Sequence, residues 1–200
     1  MTPLIIGISG PTSSGKTSLA TKASSSFEGV THIAMDDFYK NCADAPMYGD
    51  IPNWDTVESV HMDELVSVLS TLRADTPAHI PIYSKPQSKR VGAYMAHPTP
   101  IILVEGAVIY SCPEIRDLCS LKIFIRTSKD AILHRYTNRE KDYSIDTRYL
   151  TDLIFPNLDA YTEEHSRYAD IVLDGTRDLE TIQEELFSHL AKYIPSTHFS

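Results

Sequence analysis

Gly10-Pro11-Thr12-Ser13-Ser14-Gly15-Lys16-Thr17 follows the spacing G-x-x-x-x-G-K-[ST], and those residue types at that spacing hold phosphate. The glycines let the chain curl, so that successive backbone N–H groups point at phosphate oxygens. Lys16 brings a positive charge to the β- and γ-phosphates, and Thr17 offers a hydroxyl to Mg²⁺. A helix starting at Lys16 adds the positive end of its dipole. Gly10, Thr12, Ser13, Ser14, Gly15, Lys16, Thr17 and Ser18 are thus the candidate nucleotide contacts. The motif needs a strand before it and a helix after it. Leu4-Ile5-Ile6-Gly7-Ile8 and Ser18-Leu19-Ala20-Thr21-Lys22-Ala23 supply patterns for both.

A phosphate loop alone says only that nucleotide binds, so the reaction must come from other residues. Glu105 ends the apolar run Ile101-Ile102-Leu103-Val104, at the edge where an open α/β sheet places its ligands. There it suits a metal-shell carboxylate, with Gly106 leaving room for phosphate, or else a turn cap. Asp36 follows the second expected strand, Val30-Thr31-His32-Ile33-Ala34. It is the candidate base for a hydroxyl acceptor and a further candidate for the metal shell. Asp36-Asp37 also fits a cap or turn. Phe38 and Tyr39 come next and suit the wall of a small-molecule cavity, so Asp37, Phe38 and Tyr39 join the candidate acceptor site. Asn53-Trp54-Asp55 holds the sole tryptophan. A ring beside a carboxylate suits a nucleoside base and ribose hydroxyls, and equally an apolar anchor for a long loop. Arg135 and Arg139, four apart, share one helical face, which on spacing alone fits a solvated surface.

These groups need a framework. Apolar runs at 4–8, 30–34, 101–104, 121–125 and 170–173 alternate with helical patterns after Lys16, at 62–72, from Lys129, up to about His165, and at 179–193. That alternation predicts a parallel sheet covered on both faces. Residues 41–60 read as a surface excursion. The Pro-rich stretch 76–99 reads as a flap or short hairpin, and 140–147 as a mobile crossing.

The 200 residues suit one domain. The net charge of −9, without a basic run, argues against a nucleic-acid partner. Three cysteines without metal spacing fit a reduced, cytoplasmic protein. The apolar start is too short for a signal peptide, and no segment is long enough to span a membrane.

Four pieces together resemble the nicotinamide riboside kinase family, within the wider uridine kinase group of P-loop nucleoside kinases. They are Gly7-Ile8-Ser9-Gly10 leading into the phosphate loop, Asp36-Asp37-Phe38-Tyr39-Lys40, Asn53-Trp54-Asp55, and Leu173-Asp174-Gly175-Thr176. The resemblance implies a P-loop NTPase of nucleoside-monophosphate-kinase type, with a five-stranded parallel sheet flanked by helices and a mobile lid at about 135–148. It implies ATP with Mg²⁺ as donor and the 5′-hydroxyl of a small-molecule nucleoside as acceptor, most closely nicotinamide riboside. Asp36 becomes the base, Thr17 a magnesium ligand, and Trp54 and Asp55 the stacking and ribose-binding pair. Arg135, Thr137 and Arg139 fall on lid positions around the ATP phosphates, and Arg177 and Asp178 beside the adenine. Tyr136 stands where those kinases carry a ribose-binding arginine. Pro81-Ile82-Tyr83 resembles the start of the uridine kinase base flap, but Ser88-Lys89-Arg90 replaces its His-Ser-Arg triplet. A uridine/cytidine kinase is the first alternative, a kinase for another small alcohol the next. A non-catalytic nucleotide switch is an alternative of another class.

Overall fold

The computed structural model describes residues 2–138 and 146–193. In chain order the elements begin with β1 (Leu4–Ser9), α1 (Lys16–Ser26) and β2 (Val30–Ala34), followed by a single 3-10 turn, Met35–Phe38. The excursion carries the two-residue strands β3 (Met47–Tyr48) and β4 (Ile51–Pro52). Then come α2 (Met62–Arg73), β5 (Ala78–Ser84), β6 (Lys89–Ala96), β7 (Ile101–Glu105), α3 (Pro113–Leu118), β8 (Cys119–Arg126) and α4 (Lys129–Asn138). A π-helical stretch, Tyr149–Ile154, leads to α5 (Leu158–Ser166), β9 (Ile171–Asp174) and α6 (Leu179–Leu190).

Five strands form one parallel sheet in the order β2-β7-β1-β8-β9. The expected α/β class and five-stranded parallel sheet are what the chain adopts. Alternate residues of each strand point to opposite faces, and both faces are dry. Ile5, Ile33, Ile102 and Val104 meet Leu65, Leu69 and Leu72 of α2 on one side. Ile6, Ile8, Leu103 and Ile123 meet Leu19 and Ala23 of α1, and Ile182 and Leu186 of α6, on the other. That double burial is why the strands read as unbroken apolar runs. A smaller cluster joins Ile51, Ile132, Tyr149, Leu150 and Leu153. It packs the π-helical stretch and α4 against the excursion.

The Pro-rich stretch is an antiparallel hairpin of β5 and β6, outside the main sheet. Helix α3 lies where the sequence pattern points to no helix, and β8 starts at Cys119, two residues before the apolar run. Of the expected lid, residues 139–145, and with them Arg139, lie outside the described residues.

The strand ends set the site. Ile8 and Ala34 both pair with Glu105, so the carboxyl ends of β1, β7 and β2 lie level. Gly106 follows, but the room it leaves is not for phosphate, as the sequence suggested. A Cβ there would lie 2.6 Å from Met35 Sδ and 2.9 Å from Ile109 Cγ2. The glycine lets Met35, at the end of β2, fold over the end of β7. Gly106→Ala is therefore expected to lower unfolding stability by about 2 kcal/mol through overpacking. Gly92→Ala, where the nearest atom to a new Cβ is 3.9 Å away, should change it little. Urea unfolding midpoints compare the two.

Candidate active site

The loop between β1 and α1 adopts the backbone that its glycines permit. Gly10 and Gly15 have φ of +154° and +100°, and Ser13 also lies in the left-handed region at 57°. At Gly10 a Cβ would meet Ile125 O at 2.7 Å, so no larger residue fits. Gly15 is the residue before α1, and the helix opens on Lys16 as the motif requires. Lys16 is buried, and its Nζ donates to Pro11 O at 2.9 Å. Burial pushes its pKa down, against the charges of Glu105, Asp55 and Asp36, which raise it. Thr17 Oγ1 donates to Glu105 Oε1 at 3.0 Å, and His32 Nε2 lies 3.4 Å from the same oxygen.

A cavity of about 460 Å³ opens beside the loop. Thr12, Ser13, Lys16, Thr17 and Glu105 line its nucleotide side. Asp36, Tyr39, Trp54, Asp55 and Tyr136 line the rest, together with Tyr83, Lys85, Ser88 and Tyr149. Tyr39, Trp54 and Tyr83 form a three-ring cluster with centroids 5.2, 5.6 and 6.2 Å apart. Asp36 accepts a hydrogen bond from Lys85 Nζ at 2.6 Å and another from the Tyr39 hydroxyl. Burial raises the Asp36 pKa, but Lys85, Lys16 and Tyr39 outweigh it and hold the carboxyl below its usual range. Asp36 is thus a carboxylate at neutral pH, which a proton acceptor must be.

Asp55 is placed differently. Its backbone N–H donates to Asn53 Oδ1 at 3.1 Å, and Ser59 Oγ donates to Trp54 O at 2.9 Å, so the segment is pinned locally. Its carboxylate accepts from the Tyr149 hydroxyl on the π-helical stretch. Burial pushes the Asp55 pKa up, and the Tyr149 bond and Lys16 only partly offset it. Trp54 packs against two of the apolar clusters while lining the cavity. The ring is thus an apolar anchor for the loop, one of the two uses its sequence context allows, and it also borders the cavity.

Several candidates stand apart from the cavity. Phe38 does not wall it: the side chain is fully buried in the core. Asp37 accepts from Tyr83 N at 3.3 Å and so fastens the β5–β6 hairpin. Thr137 Oγ1 donates back to Leu133 O of its own helix, an ordinary use of a helical threonine. Asp178 caps α6 by accepting from Thr181 N at 2.8 Å, and Arg177 pairs with Glu185. Ser18 is exposed on the first turn of α1. Arg135 does reach the loop, donating to Ser14 O at 3.1 Å and to Arg177 O at 2.9 Å. Of the Ser88-Lys89-Arg90 segment, Ser88 lines the cavity, while Arg90 pairs with Glu64 at 2.6 Å. Sequence reasoning missed Lys85 and Tyr149 altogether. Lys85 lies in a stretch without periodicity, and Tyr149 is 94 residues from the Asp55 it touches.

The model of the phosphoribulokinase / uridine kinase family matches residues 5–181. The chain belongs to that family. It is a P-loop kinase on the fold, the loop and the match together. Within the family, a uridine kinase of Streptococcus mutans serotype c is 30% identical over 206 residues, covering 98% of each chain. A uridine kinase of Borrelia garinii is 31% identical over 84% of this chain and 85% of its own. A solved structure described as a possible uridine kinase from Bacillus stearothermophilus superposes with a TM-score of 0.62. It covers 87% of this chain and 90% of its own, at 20% identity, which speaks for the fold alone.

Family kinases use ATP with Mg²⁺. Among the described residues no group of three or more His, Cys, Asp or Glu forms a metal cage. Mg²⁺ bound by phosphates, water and one or two protein oxygens needs none. The Thr17 hydroxyl and Glu105 carboxylate, 3.0 Å apart beside the loop, are the hard oxygen donors that such an ion takes, so the residues fit it. Held by these two residues, it would supply positive charge that offsets the charge of the phosphates.

The raised pKa of Asp55 carries a sign that can be tested. Between the unfolded pKa and the higher folded one, the unfolded chain releases the proton more readily. Stability is therefore present at low pH and lost as pH rises through that window. Asp55→Asn removes the loss. The variant is expected to melt higher than wild type at about pH 7.5, with the difference shrinking towards about pH 4. A difference independent of pH would mean that burial of the charge is not the cause.

Proposed function

We propose that this kinase transfers the γ-phosphoryl group of ATP to the 5′-hydroxyl of a ribonucleoside, with uridine or cytidine as the acceptor. One observation carries the nucleoside reading. Asp36 and Lys16 face the same cavity as a ring-and-carboxylate seat, Trp54 and Asp55. The uridine kinases among its relatives support the pyrimidine.

In this reading the chain's residues divide the work. The loop amides and Lys16 hold the phosphates, and Arg135 braces the loop from α4. Asp55, oriented by Tyr149, accepts from ribose hydroxyls. Tyr39, Trp54 and Tyr83 enclose the base with apolar and aromatic surface. Asp36 orients the 5′-hydroxyl and takes its proton. The hydroxyl oxygen bonds to the γ-phosphorus, the bond to the β,γ-bridging oxygen breaks, and its electron pair leaves on ADP.

Nicotinamide riboside is the second reading, and a specific observation favours it. Ser88 occupies the cavity where uridine kinases carry a base-binding histidine, so one polar partner of a pyrimidine edge is missing. Three aromatic rings also suit a cationic pyridinium ring. A nucleotide switch would have no use for this acceptor half.

A panel of uridine, cytidine, nicotinamide riboside and unrelated small alcohols, assayed for ADP release, separates these readings. Faster turnover of a pyrimidine nucleoside is the expected result. Hydrolysis that no acceptor accelerates would remove the nucleoside reading. Lys16→Ala should abolish turnover with the fold retained. Asp36→Asn should reduce kcat about 100-fold, the scale of a lost positioned base. Unchanged kcat in Asp36→Asn would reduce that residue to a turn former.

A further inference from the structure

Lys85 opens the four-residue turn between β5 and β6, and its ammonium lies 2.6 Å from Asp36 Oδ2. The turn is fixed on both sides by bonds that do not involve that side chain. Tyr83 N donates to Asp37 Oδ1 at 3.3 Å, Cys42 N to Ser88 O at 3.0 Å, and Arg90 N to Asn41 Oδ1 at 3.3 Å. The hairpin is therefore fastened without the ion pair. The pair itself is partly exposed, with side chains 40% and 27% accessible, and such pairs add little to stability. Fastening does not account for a lysine held at this point in the cavity.

Its surroundings suggest a different task. An acceptor hydroxyl that hydrogen-bonds Asp36 must share that carboxylate with the Lys85 ammonium, since an ionised carboxylate accepts several donors at once. The ammonium then borders the attacking oxygen. As that oxygen bonds to the γ-phosphorus and the bridging bond to ADP breaks, negative charge spreads over the phosphoryl oxygens. Lys16 meets this charge from the nucleotide loop. The hydroxyl proton passes to Asp36, which becomes neutral and loosens its hold on Lys85.

We propose that Lys85 is a further catalytic residue, a cation delivered by the hairpin that meets the transferring phosphoryl group from the acceptor side. It adds a charged donor to the site across from Lys16, and its release is timed by the proton that Asp36 receives. The timing of its release rests on Asp36 being the base; the cation's place beside the phosphoryl group rests only on this cavity receiving a hydroxyl acceptor, whichever that is.

The test uses the full chain at saturating ATP, with whichever acceptor the panel shows to be turned over fastest. Lys85→Met should lower kcat about 100-fold, the usual cost of one lost charged or hydrogen-bonding donor to a transition state. The acceptor KM should stay within about 3-fold, as expected for an interaction made in the transition state. Lys85→Arg should keep most of kcat, and added methylamine should restore part of the turnover of Lys85→Ala, with saturation. An unchanged or raised kcat, or a loss confined to KM, would overturn the proposal. So would a loss in all three variants, with lowered melting temperatures and no rescue by the amine. The two assignments fail separately. An active Asp36→Asn beside an impaired, amine-rescued Lys85→Ala would remove the base and leave Lys85 in place.

Discussion

The site hangs from the pairing of β7 with both β1 and β2. Glu105 stands opposite Ile8 on one side and Ala34 on the other. This register brings three chain reversals to one edge: the phosphate loop after β1, the 3-10 turn after β2, and Gly106 after β7. A slip by one residue would turn Glu105 to the other face and pull Asp36 away from Lys16. It would also carry the Glu105 carboxylate into an apolar face without its Thr17 partner, and the cost of burying an unpaired charge forbids it. Desolvation thus sets catalytic spacing here without touching a ligand.

What the sequence made legible follows from how local each interaction is. The phosphate loop, α1 and the five sheet strands depend on neighbours in the chain or on burial of both faces, and both leave patterns. Phe38 shows where such reasoning stopped. It stands two residues from Asp36, a position that suggests a cavity wall. In a 3-10 turn, residues three apart eclipse one another. Met35 and Phe38 therefore enter the core together, and Asp36 is left facing the cavity. Asp178, which the resemblance puts beside the adenine, caps α6, a use that sequence alone does not separate from ligand binding. Lys85 and Tyr149 left no signal, because each meets its carboxylate across a long stretch of chain.

The acceptor cavity sets two carboxylates in contrasting surroundings. Asp36 lies among cations and is held ionised. Asp55 has a tyrosine hydroxyl as its nearest partner and resists ionisation. A group meant to take a proton and a group meant to hold sugar hydroxyls benefit from such different environments. The price in stability falls on Asp55.

The sheet order has a further consequence for how the chain is made. β1 comes before the other four strands of its sheet in chain order, yet it occupies the centre. Its partners are remote: Leu4 pairs with Ile101 and Gly7 with Lys122. Until β7 and β8 have left the ribosome, β1 is an apolar strand with no lateral neighbour from the sheet. Such distant pairing slows folding and prolongs exposure of sticky surface. The phosphate loop precedes most of the sheet in the chain, but it can take its working shape only after β7 and β8 have been made.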